Sequence, residues 1–229
     1  MTDDLEYAGY RQWKQWDDAQ FFQCGARNRA YFDREFSNYA FGGLRVLEVG
    51  FGNGELLAWL SERGAILYGA ETSEALVEAA KRHGVRIIDP ATEAERFDFI
   101  ILMDVFEHMS VADLRAALAW YRDHLARSGR LLARFPNGQS PFSPAYQFGD
   151  ITHKTQLSAG SLAQLAAEAR LRLTLSRRPA PAYHGGVARR LSGSLRYALQ
   201  GVVETAVQKL YAFDCVVSPN VFVELVHEP

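Results

Sequence analysis

The chain reads as an α/β protein with a mainly parallel sheet covered by helices on both faces. Three observations carry that reading. Apolar runs of strand length alternate with helical patterns from Leu44 onward. The first run, with Leu44, Val46, Leu47 and Val49, stops at Gly50-Phe51-Gly52-Asn53-Gly54, and a helical pattern follows at once. The second, Ala65, Ile66, Leu67, Tyr68, Gly69 and Ala70, closes on an acid, Glu71. Strands this apolar belong to sheets buried on both sides.

In chain order, residues 7–39 are helical and rich in aromatics, with Tyr7, Tyr10, Trp13 and Trp16 either a lid over a ligand or ordinary core residues. Strands are expected at 45–49, 66–71, 85–89, 97–104, 129–135, 171–176 and 220–227, with helices near 54–63, 73–83, 110–127 and 158–169. A long non-alternating insert, 179–217, precedes the last strand. The whole is one domain, 1–229, divided into a helical cap (1–40), a core (41–178), a helical insert (179–217) and a final strand (218–229).

Composition fits one large core: 229 residues, 48% of them hydrophobic. A formal net charge of -2 argues against non-specific nucleic-acid binding. Cys24 and Cys215 lie outside any metal or redox spacing and read as reduced core thiols. The acidic start, Met1-Thr2-Asp3-Asp4, carries no apolar targeting stretch, and no run approaches a membrane span, so the cytoplasm is the expected address.

The glycine turn is a ligand site by construction, since glycines let backbone approach a ligand at a helix N-terminus. A dinucleotide fingerprint needs a third glycine where Glu55 stands. Glu48 and Glu55 flank the turn, which would repel a pyrophosphate and suit a cation. S-adenosylmethionine carries an ammonium and a sulfonium and no phosphate. Glu71 stands where an acid grips ribose hydroxyls. The segment from Leu44 to Glu71 resembles the class I S-adenosylmethionine-dependent methyltransferases. That resemblance implies a Rossmann-like, seven-stranded fold whose last strand is an antiparallel edge strand. It places the aminoacyl end of the cofactor at Glu48, Gly50, Phe51, Gly52, Asn53 and Gly54, the ribose at Glu71 and Thr72, and the adenine amino group at Asp89. Asp89 could instead cap a short helix at 92–96.

The fourth strand runs into Asp104-Val105-Phe106-Glu107-His108, which resembles the Asp-Val-x-Glu-His segment of small-molecule O-methyltransferases, among them those of ubiquinone biosynthesis and the sugar-modifying type-11 and type-23 groups. The proline-rich segment of nucleic-acid amino-methyltransferases is absent. By this resemblance Asp104, Val105 and Phe106 lie against the cofactor, while Glu107 and His108 face the acceptor. Glu107 could instead favour the next helix dipole, and His108 a supporting hydrogen bond.

A loop of about twenty residues after the fifth strand is long enough to be functional. Its end, Gly149-Asp150-Ile151-Thr152-His153-Lys154, resembles an element of methyltransferases encoded among polysaccharide-biosynthesis genes. An alcohol is a poor nucleophile until a base takes its proton. His153, oriented by Asp150, is the first choice of base and His108 the second; a hydrogen bond that merely pins the loop is the alternative. Glu107, Asp150 and His153 are plausible ligand types, but their spacing demands no metal, and none is expected.

From Arg170 to Arg196 there are seven arginines and no acid, and Leu191, Leu195, Leu199, Val202, Val203, Ala206, Val207 and Leu210 recur at helical intervals. Such a segment, within 170–210, either meets an anionic membrane or lipid carrier or packs on the core or on a second subunit of a homodimer. The expected activity is O-methylation of a saccharide, a cell-surface polysaccharide or its lipid-linked precursor, with S-adenosylmethionine as donor. O-methylation of a small aromatic or prenylated metabolite and a non-catalytic cofactor-binding module are the alternatives.

Overall fold

The structure, a computed structural model, describes residues 20–228. The four aromatics read as a lid lie outside them; the described part of the cap contains α1 (Ala26–Glu35). There follow β1 (Arg45–Val49), α2 (Glu55–Ser61), β2 (Ile66–Ala70), α3 (Glu74–Arg82), β3 (Arg86–Ile87), β4 (Phe97–Met103), a 3-10 turn (Phe106–His108), α4 (Val111–His124) and β5 (Leu125–Pro136). The last third holds α5 (Pro144–Gln147), α6 (Ala159–Glu168), β6 (Leu171–Arg177), α7 (Val187–Tyr211) and β7 (Asn220–His227). The strands form one seven-stranded sheet of order β3-β2-β1-β4-β5-β7-β6, parallel except for β7.

Period-2 side-chain alternation in apolar strands builds a core on each face. Leu47, Ile100 and Leu131 point to one core, closed by Leu114 and Leu118 of α4 and Leu162 of α6. Their neighbours Val46, Ile101 and Leu132 point to the other, closed by α1, α2 and α3 through Phe32, Leu57, Trp59 and Ala80.

One expectation is corrected. β7 is antiparallel but not an edge strand, because it lies between β5 and β6, and the edges are β3 and β6. The side chains explain it. Val221, Phe222, Val223 and Leu225 are fully buried, as in an interior strand, whereas β6 alternates buried Leu171 with exposed Arg172. Two smaller corrections concern boundaries and cysteines. Residues 90–92 form a turn with no helix behind it. Cys24 and Cys215 are free thiols that sit half-buried at the margin of the core, and burial pushes the Cys24 thiol up to about 11. Among the described residues no helix is long and apolar enough to cross a membrane.

Candidate functional site

The turn after β1 is held in a shape few side chains tolerate. Gly50, Gly52 and Gly54 have φ of 67°, 51° and 70°, the left-handed region that glycine enters without penalty. A Cβ on Gly50 would stand 2.7 Å from Val105 Cγ2, so this turn packs directly against the segment that follows β4. Glu71, just past β2, accepts hydrogen bonds from Gly52 N (3.0 Å), Thr72 N (2.8 Å), the Thr72 hydroxyl (3.2 Å) and Ser73 N (3.3 Å). It therefore braces the glycine turn and the entry to α3 together. Phe51 turns inward against Gly69, and Asn53 donates to Gln20 O at 3.4 Å.

Glu48 is buried, and one of its carboxylate oxygens has no hydrogen-bond partner. Burial first, and the nearby Glu71 second, push its carboxyl well above the ordinary carboxylate range. A buried acceptor left unsatisfied costs about 1 to 3 kcal/mol, so this position suits a cationic donor. Glu55, the other flanking acid, is turned elsewhere: it accepts from Gly25 N at 3.3 Å and from the Asn28 side chain, tying α2 to the segment before α1.

Asp89 is exposed and caps the 90–92 turn, accepting from Ala91 N (3.0 Å) and the Thr92 hydroxyl (3.3 Å). Asp104 has φ of 59° and is clamped through both carboxylate oxygens by Arg134 of β5, one bond being 2.9 Å. Arg134 also lies 5.0 Å from the Tyr31 ring. Sequence reasoning missed this arginine; a charge inside the apolar run of β5 was its signal. The Phe106 side chain is withdrawn from the expected cofactor face, fully buried with its ring 6.1 Å from that of Phe135, because an aromatic ring at a strand end gains most by entering the core. Only its backbone stays at the turn.

The residues expected on the acceptor side come together because the loop after β5 is fastened to the turn after β4. Lys154 N and Thr155 N donate to Glu107 O (2.8 and 3.1 Å), and the Thr155 hydroxyl donates to Met109 O (2.6 Å). The rings of His108 and His153 meet edge-on at 4.8 Å. His153 Nε2 lies 4.0 Å from carboxylate oxygens of both Glu107 and Asp150. His153 Nδ1 is 2.8 Å from Gln147 O; a carbonyl only accepts, so Nδ1 carries the proton and Nε2 presents the lone pair of the neutral ring.

The Asp150 carboxylate does not hydrogen-bond the His153 ring; the two residues are joined by His153 N donating to Asp150 O at 3.4 Å. Its Oδ1 accepts from Thr152 N (3.0 Å) and the Thr152 hydroxyl (2.6 Å), a local turn that captures the carboxylate. The hydroxyl oxygen lies 2.9 Å from His108 Nδ1 and accepts from it, so Asp150 orients His108 through Thr152. Burial would raise the Asp150 carboxyl, but the two bonds from Thr152 hold it below the ordinary range.

Ligand atoms of Glu107, His108 and His153 lie within 4.8 Å of one another. A zinc ion with bonds near 2.0 to 2.1 Å sets tetrahedral ligands about 3.3 Å apart, so these donors would have to close in to hold one. Asp150, named from the sequence as a suitable ligand type, is not in this group, and His108 is.

Residues 23–176 match the family model described as a methyltransferase domain. The chain belongs to that family. The chain is 37% identical over 95 residues to the ubiquinone biosynthesis O-methyltransferase of Bartonella bacilliformis, covering 36% of this chain and 38% of the relative. The corresponding enzyme of Mesorhizobium japonicum is 40% identical over 88 residues, covering 34% and 35%. The matched part thus spans little more than a third of these curated relatives. Among solved structures, a SAM-dependent methyltransferase from Archaeoglobus fulgidus superposes with a TM-score of 0.60 at 17% identity, covering 88% of this chain and 94% of that one. The magnesium protoporphyrin IX methyltransferase of Synechocystis, with bound SAH, gives 0.59 at 15% identity, covering 99% and 97%. At such identities the likeness is one of fold: the chain has the Rossmann-like architecture expected from its sequence.

Proposed function

We propose that this methyltransferase moves a methyl group from S-adenosylmethionine to a hydroxyl oxygen of a saccharide, a cell-surface polysaccharide or its lipid-linked precursor. The observation that carries the reading is the docking of the 149–154 loop onto Glu107, which sets a histidine with an available Nε2 beside the segment packed on the glycine turn. When bound, S-adenosylmethionine supplies an electrophilic methyl group on a sulfonium. Glu48 suits its ammonium, the backbone of Gly50 and Gly52 its approach, and Glu71, with accepting capacity left on its oxygens, the ribose hydroxyls. Thr72 and Asp89 remain the candidates at the ribose and adenine edges.

The chain's own part in the transfer is to align and to take a proton. Methyl transfer is an in-line displacement, so acceptor oxygen, methyl and sulfur must be held nearly collinear. His153 removes the hydroxyl proton at Nε2 as the new carbon–oxygen bond forms, and Glu107 and Asp150, each 4.0 Å from that atom, stabilise the resulting imidazolium. His108, steadied by Thr152 and Asp150, packs the base and positions the acceptor. A small aromatic or prenylated acceptor is the second reading, favoured by the resemblance of Asp104 to His108 to ubiquinone-pathway enzymes.

The test is acceptor-dependent formation of S-adenosylhomocysteine with panels of glycans and of phenolic and prenylated compounds. His153→Ala should slow transfer by roughly a hundredfold to ten-thousandfold with cofactor affinity unchanged, and should remove the rising limb of the pH–rate profile. His108→Ala should act more weakly. If His108→Ala removes the limb and His153→Ala keeps it, the base is His108. Turnover only with phenolic acceptors would overturn the saccharide.

A further inference from the structure

Helix α7 sits on the body by its polar face. Arg178, just past β6, donates to Tyr197 O (3.1 Å) and to Gln200 Oε1 (3.3 Å), lies 3.6 Å from Glu204 and stacks over the Tyr197 ring at 3.4 Å. The Tyr197 hydroxyl donates to Pro179 O (3.1 Å), and Gln208 Nε2 donates to Cys215 O (2.6 Å). Gly201 is closed in by Arg178, and Gly193 by Tyr183. At 3.6 residues per turn, these six helix positions fall within about 100° of arc.

The apolar stripe falls on the opposite side. Leu191, Leu195, Leu199, Val202 and Leu210 are 56% to 79% exposed, and no residue of α7 is buried. An ordinary surface helix turns its apolar face to the core; this one is inverted. Contiguous exposed apolar surface marks an interaction site.

Charge identifies the occupant. By the same helical spacing, Arg189 and Arg196 run along one margin of the stripe and Lys209 along the other. The single acid of the helix, Glu204, faces Arg178 on the body side. Two copies pairing through this stripe would bring cations against cations with no acid between them, whereas an anionic lipid surface satisfies both the stripe and its margins. At the far end Tyr211 and Phe213 stack on each other with rings 5.6 Å apart, the amphipathic aromatics that favour a headgroup region.

We propose that α7 lies in the plane of an anionic bilayer and seats the methyltransferase on it. The segment leading out of α7 is also bonded to the acceptor-side loop, through Asn137 Nδ2 to Val216 O (2.7 Å) and the Ser140 hydroxyl to Val217 O (2.6 Å). A seated helix would therefore hold that loop in a fixed relation to the membrane. The surface is independent of which acceptor is methylated.

The test is sedimentation of the full chain with vesicles of phosphatidylcholine, with and without phosphatidylglycerol. Binding is expected only when phosphatidylglycerol is present and should fall with added salt. Leu195→Glu with Leu199→Glu should weaken binding by roughly tenfold or more, because two apolar side chains leave the interface, with the melting temperature unchanged since neither is buried in the fold. Arg189→Ala with Arg196→Ala should weaken it several-fold. No sedimentation with phosphatidylglycerol vesicles, or binding indifferent to the leucine changes, would overturn the proposal. So would a dimer in analytical ultracentrifugation that the leucine changes dissociate.

Discussion

Glu48, proposed above to meet the ammonium of the cofactor, sets stability against binding in one carboxylate. Its folded-state pKa is raised, by burial and then by Glu71. A raised acid contributes stability at pH below its unfolded value, and that stability is lost as pH climbs through the folded value. The ligand-free protein should therefore lose stability as pH rises into that range. Glu48→Gln should flatten the loss and raise the melting temperature at neutral pH and above, while weakening S-adenosylmethionine binding by roughly 1 to 3 kcal/mol. Thermal unfolding against pH, with calorimetry of cofactor binding, checks both halves; a Gln variant no more stable than the parent would show that Glu48 ionises without cost. Glu48, Glu71 and the glycines were legible because their signal is local in sequence. Arg134 was not, since its partner Asp104 lies thirty positions away and only sheet register joins them. The part of Asp150 was only half legible: its carboxylate lies 4.0 Å from His153 Nε2, but its hydrogen bonds go to Thr152, whose hydroxyl in turn meets His108.

Elements were legible where caps or turns mark them. The expected helices at 110 and 158 begin at serines whose side chains cap the third backbone amide, in both cases with a reciprocal bond. The end of α4 was misjudged because Leu125 passes straight into β5 with no glycine or proline to mark it. For α7 the periodicity identified which residues share a face, but periodicity does not say which face meets the body. The glycine turn allows a sharper comparison. Gly50 and Gly84 both have left-handed φ, 67° and 78°, but a Cβ on Gly84 meets nothing within 4 Å while one on Gly50 meets Val105. Gly84→Ala should cost about 1 to 2 kcal/mol for the backbone alone. Gly50→Ala should cost roughly 1 to 3 kcal/mol more for the forced contact. Urea unfolding measures both, and equal losses would mean that Val105 yields freely.

At the scale of the whole molecule, the two-sided core was legible from the apolar strands, but neighbour relations were not, because crossover connections let any strand join the sheet beside any other. The placement of β7 is the example: its buried valines and phenylalanine mark an interior strand, yet nothing local names β5 and β6 as its neighbours. That placement has a consequence for synthesis. β6 is made before β7 but has no strand to pair with until β7 arrives, so a growing chain carries two open strand edges, on β5 and on β6, through the making of the 25-residue helix between β6 and β7. Removing Asn220–His227 should therefore leave a protein that aggregates, where the loss of a true edge strand would only narrow the sheet. In pulsed hydrogen exchange during refolding, amides of β6 and β7 should gain protection together and after those of β1 and β4. Until β7 is made and docked the sheet stands with a gap in it, and the window before the gap closes is when chaperones would matter most.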